Sequence, residues 1–250
     1  MRQKTSLAGL YLRMTALPVA ILFLLVGGLQ LLWFQPPQLV EGRFLAVFEH
    51  QLQAGFPQIG TAGLLLLILL LVLCGSQTKG GDFSMTLGRL GLSPLTRQLI
   101  LAGVCTGYFL LYWAFQFLMV VILFARSAPV MAALYEGTAP GERLDPIWFF
   151  LSCYRMPYVH FLMPLRDGFG YLRNLFLALA CGMWTAYSCP WKPRRSWPLV
   201  TLILTLNVLR ILPMHSPATQ VTCIAQSLIC LILTAIALHQ MKGREEHEKI

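Results

Sequence analysis

The chain has 250 residues, of which 57% are hydrophobic and only 12% are charged, and its formal net charge is +9. A soluble domain usually carries about 25% charged residues, so this composition argues against a soluble protein and indicates an integral membrane protein. In so apolar a chain, the positive charge indicates basic loop ends that set the membrane topology and contact anionic lipid, and not a nucleic-acid surface.

Long uncharged runs dominate the sequence, at residues 16–32, 59–77 and 98–125. Crossing a hydrocarbon core about 30 Å thick takes about 20 helical residues, and lipid offers no partner to open backbone groups, so such runs must be helices. They do not alternate apolar with polar residues, which argues against a β-barrel. We therefore predict an all-α polytopic membrane helix bundle with six transmembrane helices. Both termini are predicted to be cytoplasmic, in a single domain of residues 1–250.

The first two spans are predicted at residues 17–34 and 57–74. Three basic residues precede the first, as in a signal sequence. The apolar stretch is long for a signal peptide and no A-x-A cleavage site follows it, so we interpret it as an uncleaved span. A Pro-Pro pair follows this span and ends its helix. Pro57 suits the first turn of the second helix.

A short helix is predicted at residues 84–92, in the connector after the second span, and its surface is partly apolar. Ser93-Pro94 then begins a new helix, because serine caps a helix and proline suits its first position. The third span is predicted at residues 98–124. The helix that contains it is roughly 45 Å long at 1.5 Å per residue, so it must tilt or project beyond the bilayer.

The segment 147–165 is apolar enough for a span, but it contains two prolines and several aromatic residues, which favour a membrane interface. We predict an interfacial or re-entrant element on the outer face, with a spanning helix as the alternative. Its predicted outer-face interface residues are Tyr154, Arg155, Tyr158 and His160. Arg155 and His160 are also candidates for binding an anionic headgroup or substrate, although we favour an interface anchor.

The last three spans are predicted at residues 172–189, 197–214 and 219–240. A tight basic turn, residues 190–195, separates the first two of them. The charged tail after the last span is predicted to be solvated.

The basic residues set the predicted orientation. With six spans and a cytoplasmic N-terminus, twelve of the nineteen basic residues fall in four short cytoplasmic segments, three in each. If residues 147–165 also spanned, the basic turn and the tail would lie outside, against the positive-inside rule. We therefore predict a multi-pass protein of the cell membrane.

Catalytic and metal-binding signatures are absent from the sequence. There is no H-E-x-x-H, G-x-S-x-G or G-x-x-x-x-G-K-[ST] motif, so the chain cannot hydrolyse ATP through a phosphate-binding loop of its own. The seven cysteines form no C-x-x-C pair, and we interpret them as small buried hydrophobic residues. We expect no catalytic residue, no cofactor and no metal site in this chain.

Polar residues inside the spans are the default candidates for function, because burying them in lipid is costly. The candidates for a pathway lining are Gln116, Asn207, Arg210 and Gln226. The alternative, which we favour, is that the amides make interhelical hydrogen bonds and that Arg210 extends to the outer surface. No predicted span contains Asp or Glu, which argues against a proton- or sodium-coupled carrier.

The segment between the second and third spans is the most informative part of the sequence. A short helix at this place either docks into a groove of a soluble partner or lies on the bilayer. Its sequence is Met85-Thr86-Leu87-Gly88-Arg89-Leu90-Gly91-Leu92-Ser93. This segment resembles the corresponding one of bacterial ABC exporter permeases of the second type, and the six-span plan and residues 150–165 are also similar to permeases of this kind.

The resemblance implies that this segment is the coupling helix, which contacts an ATPase subunit. The implied coupling residues are Thr86, Leu87, Arg89, Leu90, Leu92 and Ser93. It also implies that the chain is the permease subunit of an ABC transporter, an exporter, driven by a separate cytoplasmic ATPase, with a second permease copy or paralogue as partner. The second hypothesis is a non-transport membrane scaffold or immunity protein. The third, an intramembrane enzyme, is the least supported, because no span holds a catalytic pair.

Overall fold

The computed structural model describes residues 2–34, 55–77, 92–138, 156–164, 167–189 and 220–248. Throughout these ranges the regular secondary structure is helical, which confirms the predicted all-α class for the described residues. The helices are α1 (Arg2–Trp33), α2 (Phe56–Gln77), α3 (Pro94–Thr138), α4 (Pro157–Leu162), α5 (Gly168–Ser188) and α6 (Gln220–Glu248).

Four of the described helices are long and apolar enough to cross a membrane. Their candidate spans are Leu7–Trp33, Phe56–Gly75, Pro94–Ala133 and Gln220–Gly243. These lie where the first, second, third and sixth spans are predicted. Two helices extend well beyond their predicted spans: α1 begins at Arg2, ahead of residue 17, and α3 continues through Arg126 and Pro129, whereas the prediction ended near residue 124. Hydropathy falls at Arg126, but one arginine does not interrupt the hydrogen bonds of a helical backbone.

The predicted fourth span, residues 172–189, corresponds to α5. This helix is not among the four apolar ones, because it carries polar side chains such as Arg173, Asn174 and Thr185. These side chains are buried against other helices of the chain, since α5 packs between α3 and α6. The predicted fifth span, residues 197–214, lies outside the described residues. Of the predicted outer element 147–165, the structure describes residues 156–164, which contain α4.

The directions of α1, α2 and α3 follow from hydrogen bonds between them. Tyr11 of α1 contacts Cys105 of α3, while Gln30, nineteen residues later, contacts Gln116, so α1 and α3 are parallel. The Tyr11 hydroxyl also donates to the carbonyl of Leu71, whereas Gln30 donates to that of Phe56, so α2 is antiparallel to both. We call the end of the bundle at which α1 begins the base, and the other end the top.

The helices α5 and α6 both run from the top to the base. Gly182 of α5 lies against Thr106 of α3, whereas Leu177 of α5 shares a cavity with Trp113, so α5 is antiparallel to α3. Two contacts then fix α6 parallel to α5. The Arg173 guanidinium donates to the Cys223 sulfur, and the Trp184 indole donates to the Leu233 carbonyl. Consequently α1 begins, and α6 ends, at the base.

Candidate functional site

A buried polar cluster joins α1, α3 and α4 in the upper half of the bundle. Gln30 and Gln116 are only 1% and 2% exposed. The Gln30 side-chain amide donates to Gln116 Oε1 at 2.8 Å, and the Tyr158 hydroxyl donates to the same oxygen at 3.0 Å. One carbonyl oxygen therefore holds three helices together. We call Gln30, Gln116 and Tyr158 the glutamine cluster.

Helix α2 reaches this cluster because it presents a glycine there. A Cβ at Gly60 would lie 2.7 Å from both Gln116 Oε1 and the Tyr158 hydroxyl, closer than real Cβ contacts occur. The bare backbone instead offers its carbonyl, which accepts a hydrogen bond from the Tyr112 hydroxyl at 2.5 Å. The small residue thus allows α2 and α3 to approach and also supplies an acceptor.

A cavity of about 40 Å³ adjoins the glutamine cluster. Its lining residues come from α2, α3, α4 and α5, namely Gly60, Thr61, Leu64, Tyr112, Trp113, Gln116, Tyr158, Phe161, Leu162 and Leu177. None of these residues is charged. Two buried amide atoms of the glutamine cluster, Gln116 Nε2 and Gln30 Oε1, have no hydrogen-bond partner within the described residues. A space of this size is large enough for water, which needs about 10–15 Å³ by this measure.

A second polar group lies nearby, where α4, α5 and α6 meet. Arg173 is 2% exposed, its Nε donates to Asn174 Oδ1 at 3.0 Å, and its guanidinium carbon lies 4.5 Å from the centre of the Phe161 ring. The Asn174 amide donates to the Phe161 carbonyl at 2.8 Å. These contacts fasten α4 to the start of α5. The hydrogen bond to Asn174 and the contact with the Phe161 ring compensate for the burial of the charged guanidinium.

The pKa of His160, on α4 and outside the candidate membrane spans, lies below its ordinary value. Burial disfavours the charged imidazolium, and the positive charge of Arg173 adds to this, while Asp167 acts in the opposite direction. The imidazole is therefore held mainly in its neutral form near neutral pH. Neutral histidine suits an interface position better than a binding site for an anion.

A third group of polar atoms lies toward the base. The Tyr11 hydroxyl donates to the Leu71 carbonyl at 3.0 Å and is 3.9 Å from the Cys105 sulfur, and Cys189 Sγ is 3.7 Å from the same carbonyl. The six cysteines that the structure describes are all free thiols. Within the described ranges, no group of three or more His, Cys, Asp or Glu residues is placed to hold a metal ion.

The structure brings together two residues that the sequence singled out for different reasons. Gln116 was predicted as part of a pathway lining and Tyr158 as part of an outer interface, and the two share a hydrogen bond. Gln226 lies half-buried on α6, outside the glutamine cluster. The other predicted residues of these two groups, Asn207, Arg210, Tyr154 and Arg155, lie outside the described residues.

Two of the predicted coupling residues are described, at the start of α3. Ser93 Oγ accepts a hydrogen bond from the Thr96 backbone amide at 3.2 Å, and α3 begins at Pro94, so the predicted serine cap is confirmed. The Arg97 side chain donates to the Leu92 carbonyl at 2.9 Å. Leu92, the last residue of the predicted short helix, is not helical. Thr86, Leu87, Arg89 and Leu90 lie outside the described residues.

Sequence reasoning missed Gln30, Tyr112, Arg173 and Asn174. For Gln30 a signal was present, because it is a polar side chain inside the uncharged run 16–32 and meets the criterion that selected Gln116. For Arg173 and Asn174, at the end of a predicted span, the sequence indicates contact with water, whereas both are buried beneath α4.

Comparison of the chain with protein-family models, with curated proteins and with solved structures finds no match.

Proposed function

We propose that the chain is the membrane-spanning permease subunit of an ABC exporter, driven by a separate cytoplasmic ATPase. The resemblance of residues 85–93 suggests this function, and the geometry of the base supports it. The helix ends that flank residues 78–91 both lie at the base, and so do the start of α1 and the end of α6. This convergence is the observation that carries the proposal. The proposed ATPase is cytoplasmic, and so are the predicted termini. A coupling segment therefore needs to lie on the same face as the termini.

The charges near the base agree with a cytoplasmic face. Basic residues lie in the parts of the helices nearest the base, including Arg13 on α1, Arg97 on α3 and Lys242 on α6. Positive residues close to membrane spans favour the cytoplasmic side. The connecting segment 78–91 contains Lys79 and Arg89, which add positive charge to the same side.

The parallel direction of α5 and α6 favours six crossings. Because α5 ends at the base and α6 begins at the top, the 31 residues between them connect opposite ends of the bundle. The predicted span 197–214 would make this crossing. With it, the chain would cross an even number of times and both termini would be cytoplasmic.

A mechanical connection between the coupling segment and the polar cavity follows from α3. This helix begins at Pro94, directly after Ser93, which caps it. It is continuous to Gln116, about 33 Å away at 1.5 Å per residue. When the ATPase domains close on ATP, they would move residues 84–92, and α3 would carry the displacement to the glutamine cluster. Rearrangement there would change access from the top.

A partner permease, either a second copy or a paralogue, completes the proposed transporter. Large apolar side chains remain exposed on α1 and α6, for example Leu24, Leu32, Val221 and Ile232. Lipid and a partner helix are the two environments that accept such surfaces in a membrane.

Co-purification tests the proposal. We expect the tagged chain, solubilised from native membranes, to recover a nucleotide-binding subunit. The double variant Leu87→Asp, Leu90→Asp should lower the recovery at least about tenfold, because charged groups replace apolar anchors of the interface. Lys242→Glu, a charge change elsewhere at the base, is the matched control and should recover the subunit normally.

Two outcomes would contradict the proposal. Pull-downs that recover no nucleotide-binding subunit would remove the ATPase from the account altogether. Recovery of partners without any substrate-dependent ATPase stimulation in liposomes would instead favour a scaffold or immunity protein.

A further inference from the structure

Side-chain hydrogen bonds hold the residues that connect the proposed coupling segment, residues 84–92, to α3. Arg97 is the fourth residue of α3, and its side chain extends back past the start of the helix, where its Nε donates to the Leu92 carbonyl at 2.9 Å. The Ser93 hydroxyl accepts from the Thr96 amide at 3.2 Å and lies 2.9 Å from the Thr96 hydroxyl. We call Leu92, Ser93, Thr96 and Arg97 the joint.

The joint is restricted in several ways at once. Pro94 fixes its own φ and disfavours a helical conformation at Ser93. The backbone amide of Arg97 donates to the Ser93 carbonyl at 3.0 Å, so its backbone and its side chain bind two consecutive residues. A hydrogen bond from a guanidinium is charge-assisted and stronger than one between neutral groups. Leu92 is therefore fastened to the first turn of α3.

The first turn of α3 is in turn part of the packed bundle. Gln98 and Ala102, which follow the joint, are only 3% and 2% exposed. A Cβ at Gly182 of α5 would lie 2.9 Å from the Ala102 carbonyl, so the two helices are in close contact just above the joint. Closely packed interiors transmit strain. A displacement of Leu92 would consequently move α3 and would not only bend a free helix end.

Helix capping alone does not explain Arg97. The first turn of a helix has open N–H groups, and an acceptor such as the Ser93 hydroxyl satisfies them. Arg97 supplies a donor instead, and its acceptor is the carbonyl of Leu92, which lies outside the helix. A positive charge near a helix N-terminus also opposes the helix dipole. This hydrogen bond therefore serves the connection to Leu92 more than the helix itself.

We propose that Arg97 is a positioning residue for the coupling of ATP hydrolysis to the motion of α3, because it holds Leu92 against the first turn of this helix. The inference rests on the proposed permease function. It adds the residue through which a push on residues 84–92 reaches α3 and is not absorbed at the joint. Arg97 acts through Leu92 and is not part of the surface that binds the ATPase.

The test measures how far α3 moves relative to α1 when nucleotide binds. Spin labels are placed at Leu24→Cys on α1 and Leu118→Cys on α3, two exposed positions, in a chain whose native cysteines have been replaced. The labelled chain, with its nucleotide-binding subunit and an excess of unlabelled copies, is studied in lipid nanodiscs. Pulsed electron paramagnetic resonance gives the distance between the labels without nucleotide and with ATP and vanadate. Arg97→Met is compared with Arg97→Lys, and Arg13→Met is the control for the loss of a basic residue elsewhere near the base.

We expect the distance to change on nucleotide binding when residue 97 is arginine. Arg97→Met should reduce this change at least about twofold, because the loss of a charge-assisted hydrogen bond lets the joint bend, while recovery of the subunit stays normal. Arg97→Lys keeps a donor and should restore much of the change, and Arg13→Met should leave it intact. If Arg97→Met does not fold, Ser93→Ala removes the other side-chain contact of the joint and should also reduce the change.

The outcomes separate this inference from the proposed function. If no subunit is recovered even with the unsubstituted chain, the proposed function fails and the inference fails with it. If the subunit is recovered, a full distance change in Arg97→Met, or no distance change in any variant, overturns the inference alone. Equal reductions in Arg97→Met and Arg13→Met would show an effect of charge at the base. Poor recovery of the subunit by Arg97→Met would place Arg97 in the ATPase interface, which also contradicts a positioning role.

Discussion

Gln116 has a different role from the other buried amide of its cluster, although both are almost completely inaccessible. Its Oε1 accepts from Gln30 and from Tyr158, so two donors depend on it. Gln30, by contrast, is a donor that also contacts the Phe56 carbonyl. Interhelical hydrogen bonds in membranes are each worth only about 0.6–2 kcal/mol. The effect of a substitution on stability therefore depends mainly on how many buried polar groups it leaves without a partner.

We predict that Gln116→Leu destabilises the chain more than Gln30→Leu. Losing Gln116 leaves the Tyr158 hydroxyl without an acceptor and Gln30 with only a long contact, which should cost about 2–3 kcal/mol. Losing Gln30 leaves Oε1 with its second donor, so the cost should be about 1 kcal/mol. The measurement is the free energy of unfolding in mixed detergent micelles. Equal effects, or a larger effect for Gln30→Leu, would show that Oε1 is not the common acceptor.

At the scale of helices, the α3–α5 contact depends on the absence of a side chain. A Cβ at Gly182 would lie 2.9 Å from the Ala102 carbonyl, which belongs to the α3 backbone and cannot rotate away. The close approach explains why α5 buries residues such as Ala178, Cys181 and Ala186, which are small and have little side-chain surface of their own.

We predict that Gly182→Ala lowers the free energy of unfolding by about 1–3 kcal/mol, the usual cost of overpacking a close contact. Gly107 on α3 is the matched control, because a Cβ there meets nothing within 4 Å. Gly107→Ala should be neutral or slightly stabilising, since alanine favours a helix by about 0.5–1 kcal/mol over glycine. Similar results for the two alanine variants in the same unfolding measurement would contradict the close packing of α3 against α5.

The sequence locates each of the long helices that the structure describes, but it does so on different grounds. The uncharged runs locate α1, α2, the middle of α3 and α6, because lipid requires apolar residues there. The sequence also locates α5, whose predicted bounds of 172–189 lie close to the observed Gly168–Ser188, although polar residues covered by α3 and α6 keep it out of the four apolar candidate spans. The end of α3 is missed, because helical hydrogen bonding continues after hydropathy has fallen at Arg126.

The candidate site could be predicted only in part. Gln116 and Tyr158 are visible in the sequence as single residues, but 42 positions separate them and no periodic pattern connects them. Their contact depends on the chain returning from the end of α3 to its middle, where the Trp113 indole donates to the Leu162 carbonyl. Such a return is a property of tertiary packing, and local sequence patterns do not encode it.

At the scale of the whole molecule, helix directions restrict the topology more strongly than span counting does. Within the described residues, α1 and α3 run from base to top, and α2, α5 and α6 run from top to base. A spanning element between α3 and α5 would have made these two helices parallel, whereas they are antiparallel. This agrees with an α4 that contacts the bundle near Trp113 and does not cross it.

We therefore predict that cysteines introduced at residues 194 and 250 are cytoplasmic and that one at residue 217 is external. The reason is that α5 ends, and α6 begins, at opposite ends of the bundle. The measurement is labelling with a membrane-impermeant maleimide, first of intact cells and then of lysed cells. The native cysteines are replaced beforehand, so that only the introduced thiol reacts. Residue 217 should be labelled before lysis and the other two only after it. External labelling at residue 250 would place the base outside, and residues 84–92 could then contact no cytoplasmic ATPase.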